Sequence, residues 1–278
     1  MFFLYLQKYF LERSLISINK TNYLIMKKFL LSLAIIYGII LQAQVPAYKP
    51  GEHFKFRIHY GFFNAGYATL DLKKDIIEGK ELMHAIGKGW TSGMSRWFMK
   101  INDNYESYFD EFNRPIRFIR NINEGGYTKN VELRFNHDNK KVTVIDKEKN
   151  KVETFSIPNK INDLVSVFYY LRNYDTSNLK KGDEIKVDMF FDNEIYPFKL
   201  KILGREFLRT KFGKIKALKL RPIVMSGRVF REEESLTVWV SDDDNKIPLL
   251  IKAKLMIGSL KASLMEYSGV SHNLIVKK

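Results

Sequence analysis

The chain has 278 residues, with 46 Lys and Arg against 31 Asp and Glu, and it contains no cysteine. Without cysteine it can form no disulfide, no thiolate metal site and no acylated lipoprotein cysteine. The formal net charge of +15 favours acidic partners such as anionic lipid head groups or acidic glycans. Because the lysines are scattered along the chain, a basic solvated surface without any partner is the alternative.

The N-terminal segment has the pattern of a signal peptide. The basic segment Met26-Lys27-Lys28 precedes an uncharged apolar run at 29–41, which is shorter than the ~20 residues that span a bilayer. Small Ala43 follows, so we expect cleavage before Gln44, with residues 1–25 an upstream extension from a misassigned start codon. The alternative is a retained N-terminal membrane anchor.

These features predict two regions, a signal peptide at 1–43 and a single β-rich domain at 44–278. The leader carries five basic residues and one acidic residue, so the processed chain would keep a charge of +11. We expect an exported protein of the periplasm or cell envelope that does not span the membrane after cleavage. Export makes nucleic acid an unsuitable partner.

The N-terminal half of the processed chain reads as strands and turns. Phe54, Phe56, Ile58 and Tyr60 alternate with polar residues, which is the period of a strand with one buried face. Similar runs, separated by Gly-, Asn- and Pro-containing turns, predict further strands at 68–72, 82–89, 102–110, 116–123, 127–136, 141–146 and 152–157. Residues 90–100 are either a short helical turn or a loop that covers the sheet.

One segment has a helical pattern instead. Leu164, Val167, Phe168 and Leu171 recur at the i, i+3, i+4, i+7 spacing, which predicts an amphipathic helix over residues 163–174. Asn162 or Asp163 is suited to cap its start, and Asn173 to end it. We expect the apolar stripe to pack against a sheet.

The remaining elements are again strands. They are predicted at 184–191, 195–203, 206–211, 213–222, 229–240, 247–257 and 260–269. Pro197 predicts that the strand containing it is an edge strand or is bulged. The fold class is therefore all-β and mostly antiparallel, an open or half β-barrel of about a dozen strands with one helix packed on its concave side.

The sequence contains no catalytic motif. It has no nucleophile elbow, no phosphate-binding glycine loop and no histidine spacing suited to a metal site. The acidic runs 232–234 and 242–244 lack the ligand spacing of a calcium loop and read as solvated surface. We therefore expect no cofactor, no metal and no enzymatic activity.

A curved sheet with one helix can leave an apolar concavity. Tyr169, Tyr170, Arg172 and Tyr174 lie on the flanks and back of the predicted helix, and they are the candidate ligand-binding residues. Arg172 could pair with an anionic head group at the rim of such a cavity. In the alternative interpretation the tyrosines pack against a loop, and Arg172 caps the helix or pairs with Asp175.

The chain resembles an exported bacterial family catalogued as domain of unknown function 3108. The matching segments are 51–52, 64–66, 163–172, 180–183, 204–206, 238–243 and 247–248, so the resemblance spans roughly residues 50–270. The end of the leader at residues 41–44 also looks like those of exported proteins from Bacteroidetes. The resemblance implies an exported, mostly antiparallel β protein of the envelope and implies no activity.

Two functional hypotheses follow from these observations. One is a non-enzymatic envelope protein that holds a lipid-like or other apolar ligand, such as an anionic lipid, in the concavity. The other is a structural or interaction protein that binds another component of the envelope. An open apolar pocket would favour the first hypothesis, and a concavity filled by side chains would favour the second.

Overall fold

The computed structural model describes residues 27, 45–224 and 236–277. Pro46–Lys278 makes one compact unit. Part of the strand predicted at 229–240 and the whole acidic run 232–234 lie outside the described residues. Among those described, no helix is long and apolar enough to cross a membrane.

Fifteen strands and two short helices occur in the described part of the chain. The helices are α1 (Ser95–Phe98) and α2 (Ser166–Arg172). The strands are β1 (His53–Tyr60), β2 (Phe63–Ile77), β3 (Lys80–Thr91), β4 (Asn102–Phe109), β5 (Pro115–Glu124), β6 (Tyr127–Asn136), β7 (Lys141–Asp146), β8 (Lys151–Ser156), β9 (Glu184–Phe191), β10 (Glu194–Thr210), β11 (Gly213–Val224), β12 (Leu236–Ser241), β13 (Pro248–Lys254), β14 (Ser259–Ser268) and β15 (Val276–Lys277).

All the strands belong to one antiparallel sheet with open ends. The order is β8-β7-β6-β5-β4-β3-β2-β1-β14-β13-β12-β11-β10-β9, and β15 pairs with β11. Strands β1 to β8 pair in chain order and form one half of the sheet, and strands β9 to β14 do the same in the other half. The pairing of β1 with β14 joins the two halves. This confirms the predicted all-β class, with fifteen strands where about a dozen were expected.

The sheet curls so that its two ends approach each other. Asp192, in the turn between β9 and β10, accepts hydrogen bonds from Arg120 of β5 at 2.9 Å and from Lys129 of β6. The edge strands β8 and β9 are not joined by a ladder. Instead Asn162 forms a parallel bridge with Met189 of β9, so the segment leading to α2 lies beside that edge. The open barrel is therefore confirmed.

Helix α2 is shorter than the sequence predicted. The preceding residues form a turn in which the Asp163 carboxylate accepts hydrogen bonds from the backbone N–H groups of Val165 and Ser166, both at 2.7 Å. This capping role for Asp163 agrees with the prediction, and Asn173 ends the helix as expected. Asp163 is fully buried, and the Ser107 hydroxyl of β4 donates a hydrogen bond to its other carboxylate oxygen at 2.6 Å.

Strand β10 differs from its predicted form in two ways. It is one strand of 17 residues rather than two, with an irregularity between Ile202 and Gly204 where Gly204 has φ 131°. It also lies between β9 and β11 rather than at an edge. Pro197 pairs with Asp188 of β9, and the described pairing of β10 with β11 begins at Phe198 and Val224.

Residues 90–100 end β3 and form α1, which does not cover the sheet. Trp97 and Phe98 of α1 are 91% and 90% exposed. The hydrophobic core lies elsewhere. One cluster joins β2–β7, β9 and α2, a second joins β1 and β11–β14, and a third joins β9–β12.

Candidate functional site

An open cavity of about 710 Å³ lies between α2 and the half of the sheet formed by β9–β13. Its volume falls within the range of small-molecule sites. Most of the wall is apolar, contributed by Leu164, Val167, Phe168, Leu171, Ile185, Met189, Phe191, Tyr196, Phe198, Leu200, Leu218, Leu220, Pro222, Leu236, Val238, Val240, Pro248 and Ile251. The polar groups at its border are few, namely Tyr105, Arg120, Arg172, Thr176, Asp192 and Lys246.

Helix α2 separates this cavity from the largest core cluster. Val165 and Tyr169 pack into that cluster, and Ser166 is fully buried on the same side. Leu164, Val167 and Leu171 are on the other side and line the cavity, and Phe168 both lines the cavity and packs against the cluster. The apolar stripe thus faces the sheet as predicted, but a cavity intervenes between most of the stripe and strands β9–β13.

The cavity is long, because it follows the β9–β10 hairpin. Ile185 and Phe191 both line it, and six residues of strand span about 20 Å. Phe191 and Asp192 mark one end, at the tip of the hairpin. Val240 and Pro248, which pair with each other, lie toward the opposite end.

Arg120 occupies the end of the cavity near the hairpin tip. Its Nη1 donates to Asp192 at 2.9 Å, and its guanidinium carbon lies 4.8 Å from the centre of the Phe191 ring. Lys129 pairs with the same Asp192 carboxylate. The charges at this end therefore have partners within the protein.

Lys246 borders the cavity at the other end. It is half-buried in the turn before β13. Burial lowers the pKa of its ammonium group, while the nearby charges of Asp244, Asp243 and Asp175 act in the opposite direction. No ion pair or hydrogen bond involves its Nζ within the described part of the chain.

The side chain of Arg172 borders the cavity but is only 2% exposed, and it pairs with Glu52 rather than with Asp175. Its guanidinium donates to both Glu52 oxygens at 2.5 and 2.8 Å, and to the carbonyl oxygens of Asn245 and Ala47 at 2.8 Å each. Four aromatic rings surround it, with centroids 5.4–5.9 Å away. Arg172 borders the cavity, but its hydrogen-bonding groups all point to protein partners.

The three candidate tyrosines are not part of the cavity wall. Tyr169 is fully buried in the largest core cluster, with its ring 4.9 Å from Tyr48 and 5.2 Å from Phe109. Tyr174 packs against the third cluster, and Tyr170 is half-buried. The interpretation that these residues pack within the protein therefore describes the structure better.

Sequence reasoning missed Lys246 and Arg120 because neither lies on the helix. Lys246 ends a polar turn, Ser241–Lys246, that reads as ordinary surface. Its neighbour Asp243 accepts hydrogen bonds from the backbone N–H groups of Asn245 and Lys246, and Asp242 pairs with Arg205 and Lys216. Only the curl of the sheet brings this turn beside α2.

A second polar cluster lies outside the cavity. His84 is 4% exposed and contacts the Asp75 carboxylate at 3.2 Å and the Glu106 carboxylate at 2.7 Å. Its ring stacks on Tyr108 at 3.9 Å. No group of His, Asp and Glu in the described residues is arranged to hold a metal ion.

The sequence profile described as "Protein of unknown function (DUF3108)" matches residues 55–265. The chain belongs to the DUF3108 family. The match covers the strands from β1 to β14, α2 and every element that lines the cavity. None of the curated proteins compared with this DUF3108 chain matches it in sequence.

Solved structures resemble the DUF3108 fold at low sequence identity. A β-barrel-like protein of domain of unknown function DUF1849 from Brucella abortus has a TM-score of 0.55 and 7% identity, covering 81% of this chain and 100% of that one. This likeness supports the β-barrel-like architecture alone.

Two further solved structures have weaker similarity to the fold. A protein provisionally called a lipoprotein, from Parabacteroides distasonis, has a TM-score of 0.37 and 9% identity, covering 82% of this chain and 100% of that one. A protein provisionally called exported, with a YmcC-like fold, from Bacteroides fragilis, has a TM-score of 0.32 and 7% identity, covering 80% and 97%.

Proposed function

We propose that this DUF3108 protein is a non-enzymatic protein of the cell envelope that binds an elongated apolar ligand with an anionic end. The observation that carries the proposal is the 710 Å³ apolar cavity between α2 and strands β9–β13. An interaction protein of the envelope would need no such space. The open cavity therefore favours ligand binding over the alternative of a purely structural role.

The apolar wall supplies the driving force for binding. Burial of apolar surface contributes about 25 cal/mol per Å², so an acyl chain that buries a few hundred Å² would gain several kcal/mol. The length of the cavity, about 20 Å along β9, suits an extended chain better than a compact ligand.

Lys246 is proposed to contact the anionic end of the ligand. It is half-buried at one end of the cavity, and the described residues give its ammonium group no direct partner. A carboxylate or phosphate beside it would form a charge-assisted hydrogen bond in a partly desolvated site. Binding through this contact should weaken as salt is added.

We propose binding rather than catalysis because the polar groups at the cavity are poorly arranged for chemistry. Asp192 is held by Arg120 and Lys129, and Arg172 is held by Glu52. The cavity wall offers the hydroxyls of Tyr105, Tyr196 and Thr176, but no histidine that could serve as a base beside them. No cofactor is needed for the proposed role.

Export is proposed from the leader alone. N-terminal sequencing of the protein isolated from envelope fractions should give Gln44 as the first residue, because small Ala43 follows the apolar run. A protein isolated with an intact Met1 or Met26 would contradict the export proposal and leave the ligand proposal unaffected.

Ligand binding can be tested by titration with a fluorescent fatty acid, with competition by the matching long-chain alcohol and by phosphatidylglycerol. We expect saturable binding that is lost in Val238→Phe, which adds volume to the cavity wall. Val152→Phe is the control, because Val152 is 64% exposed on β8. Absence of saturable binding to any of these probes would end the proposal.

The role of Lys246 can be tested with the same assay. We expect Lys246→Gln to weaken the binding of the fatty acid about tenfold and to leave the binding of the alcohol unchanged, because the alcohol carries no charge that could pair with Lys246. Lys180→Gln is the control for net charge, since Lys180 is exposed and does not border the cavity. Equal losses of affinity for the fatty acid and the alcohol would leave the cavity as the binding site but would show that Lys246 does not recognise the anionic end of the ligand.

A further inference from the structure

We propose that three loops at one end of the sheet form a docking surface for a lipid bilayer. The surface, termed here the loop-end patch, consists of Phe62, Phe63, Trp97, Phe98, Met256 and Ile257. These residues come from the β1–β2 turn, helix α1 and the β13–β14 turn. The inference goes beyond ligand binding and does not depend on what occupies the cavity.

The apolar side chains of the patch are almost completely exposed. The exposed fractions are 100% for Phe62, 67% for Phe63, 91% for Trp97, 90% for Phe98, 105% for Met256 and 80% for Ile257. Large aromatic side chains each carry about 150–250 Å² of surface, so the six residues together present on the order of 1,000 Å². Exposed apolar patches of typical monomers are smaller, at roughly 300–600 Å².

The three loops are neighbours in space. Tyr60, the last residue of β1, pairs with Leu260 of β14 and donates a hydrogen bond from its hydroxyl to the carbonyl oxygen of Ile257 at 2.8 Å. On the other side, the Ser95 hydroxyl of α1 donates to the Asn64 carbonyl oxygen at 3.2 Å. The six apolar residues therefore belong to one continuous end of the molecule.

Polar contacts fix the loop backbones while the apolar side chains remain outside. The Asn64 side chain donates to the Ser92 hydroxyl at 3.0 Å, and the Ser92 backbone N–H donates to Ala65 at 3.1 Å. Within α1, the Met99 N–H donates to the Ser95 carbonyl oxygen at 3.0 Å. Core packing therefore does not account for these aromatic residues, because the loops are held by other contacts.

The charges of the loops suit a bilayer with anionic lipids. Residues 61–62, 92–101 and 255–258 contain no Asp or Glu, whereas Arg96 and Lys100 flank Trp97 and Phe98, and Lys254 precedes Met256. Basic residues beside Trp, Phe and aliphatic residues are the pattern of interfacial membrane anchors. Each Lys or Arg near an anionic surface adds electrostatic attraction to the binding.

A bilayer fits this surface better than a protein groove does. The apolar side chains project from the tips of separate loops rather than lining a concave site, so no single partner groove is implied by their arrangement. Side chains at loop tips can each enter the interfacial region of a bilayer, where tryptophan and phenylalanine are favourable.

The proposal can be tested by vesicle flotation with the chain that starts at Gln44, which contains the compact unit Pro46–Lys278. Vesicles of phosphatidylethanolamine with phosphatidylglycerol should bind the protein. The double variant Trp97→Ser/Phe98→Ser should reduce the partition coefficient at least tenfold. Phosphatidylcholine vesicles should bind less protein, because they provide no anionic head group.

The matched control is the double variant Phe112→Ser/Ile76→Ser. Phe112 is 68% exposed in the β4–β5 turn, and Ile76 is 70% exposed near the β2–β3 turn. Both turns are at the end of the sheet opposite to the loop-end patch. The control should bind vesicles like the unaltered chain. Equal losses in the two double variants would overturn the proposal, as would the absence of vesicle binding by the unaltered chain.

A second measurement does not depend on how the variants fold. Trp97 is 91% exposed, Trp239 is 7% exposed and Trp90, near the end of β3, is half-buried. Insertion of the patch should therefore act mainly on Trp97, shift the tryptophan emission to the blue and allow quenching by brominated lipids. Trp97→Phe should remove most of both signals and keep vesicle binding. Binding without quenching in the unaltered chain would place the contact elsewhere and overturn the proposal.

Discussion

Arg172 shows how burial decides the role of a charged residue. Its position near the end of α2 and its chemistry suit an anion, but the fold places it beside Glu52, and both side chains are at most 2% exposed. Burial raises the pKa of the Glu52 carboxyl, while the hydrogen bonds from Arg172 act in the opposite direction. The pair therefore depends on both partners being present.

We expect Arg172→Ala to lower the free energy of unfolding by about 3–5 kcal/mol, because it leaves Glu52 buried without a partner. The double variant Arg172→Met/Glu52→Gln should recover at least half of the loss. Urea denaturation measures both values. Arg209→Ala, at an exposed position, is the control and should stay within about 0.5 kcal/mol of the parent. A double variant no more stable than Arg172→Ala would show that the charge of Glu52 is not the cause.

Asp163 should make the stability depend on pH. Burial raises its pKa to about 6 from 3.8, although Ser107 and the N–H groups of Ser166 and Val165 act to lower it. Between these two values the folded state binds more protons than the unfolded state, so stability should fall as pH rises from about 4 to about 6. The contribution to this fall is about 3 kcal/mol at most.

Asp163→Asn should remove that part of the pH dependence. The asparagine oxygen can still accept from the N–H groups of Val165 and Ser166, so the cap is kept while the titrating group is lost. Denaturation at pH 4, 5, 6 and 7 should show a slope for the parent that is reduced in the variant. Identical slopes in the two proteins would assign the pH dependence to other groups.

At the scale of elements, two glycines in paired strands have different reasons to be present. Gly66 of β2 pairs with Thr91 of β3, and a Cβ at Gly66 would overlap the carbonyl oxygen of Trp90. Gly89 of β3 pairs with Ala68, and a Cβ there would meet no atom within 4 Å. Of these two positions, only 66 requires glycine, because the two backbones approach each other closely there.

We expect Gly66→Ala to destabilise the protein by on the order of 2–3 kcal/mol, because the β2–β3 ladder must shift to remove the overlap. Gly89→Ala should be neutral or stabilising by about 0.5–1 kcal/mol, since alanine loses less backbone entropy on folding. Thermal and urea denaturation of the two variants give the comparison. Equal effects would show that the β2–β3 spacing is not limited at Gly66.

At the scale of the whole molecule, the short segment before β1 is part of the core. Ala47 and Tyr48 are 4% and 5% exposed, and the Tyr48 ring contacts Phe109 and Tyr169 edge-on. The Ala47 carbonyl oxygen also accepts a hydrogen bond from Arg172 at 2.8 Å. This segment therefore connects the first core cluster with the buried ion pair.

We expect a chain that starts at Lys49 to be less stable than one that starts at Gln44 by on the order of 3–5 kcal/mol, the usual cost of losing a large buried aromatic residue. A chain that starts at Pro46 should match the Gln44 chain, because Val45 is exposed. Urea denaturation of the three chains tests this, and equal midpoints would place Tyr48 outside the core.

The sequence by itself determined the all-β class, most strand positions, the family and the stripe of α2. These features depend on local periods of two or 3.6 residues, on turn residues and on motifs close in the chain, so they can be read without a fold. Asp163 as a cap belongs to the same group, because its partners lie within three residues.

Only the tertiary structure decided which side chains border the cavity and which lie in the core. Arg172 pairs with Glu52 across 120 positions, and Lys246 reaches the cavity because the sheet curls β12 and β13 beside α2. The loop-end patch likewise joins residues 62, 97 and 256 through the strand order. Burial and pairing between distant segments follow from the sheet topology, which local sequence patterns do not specify.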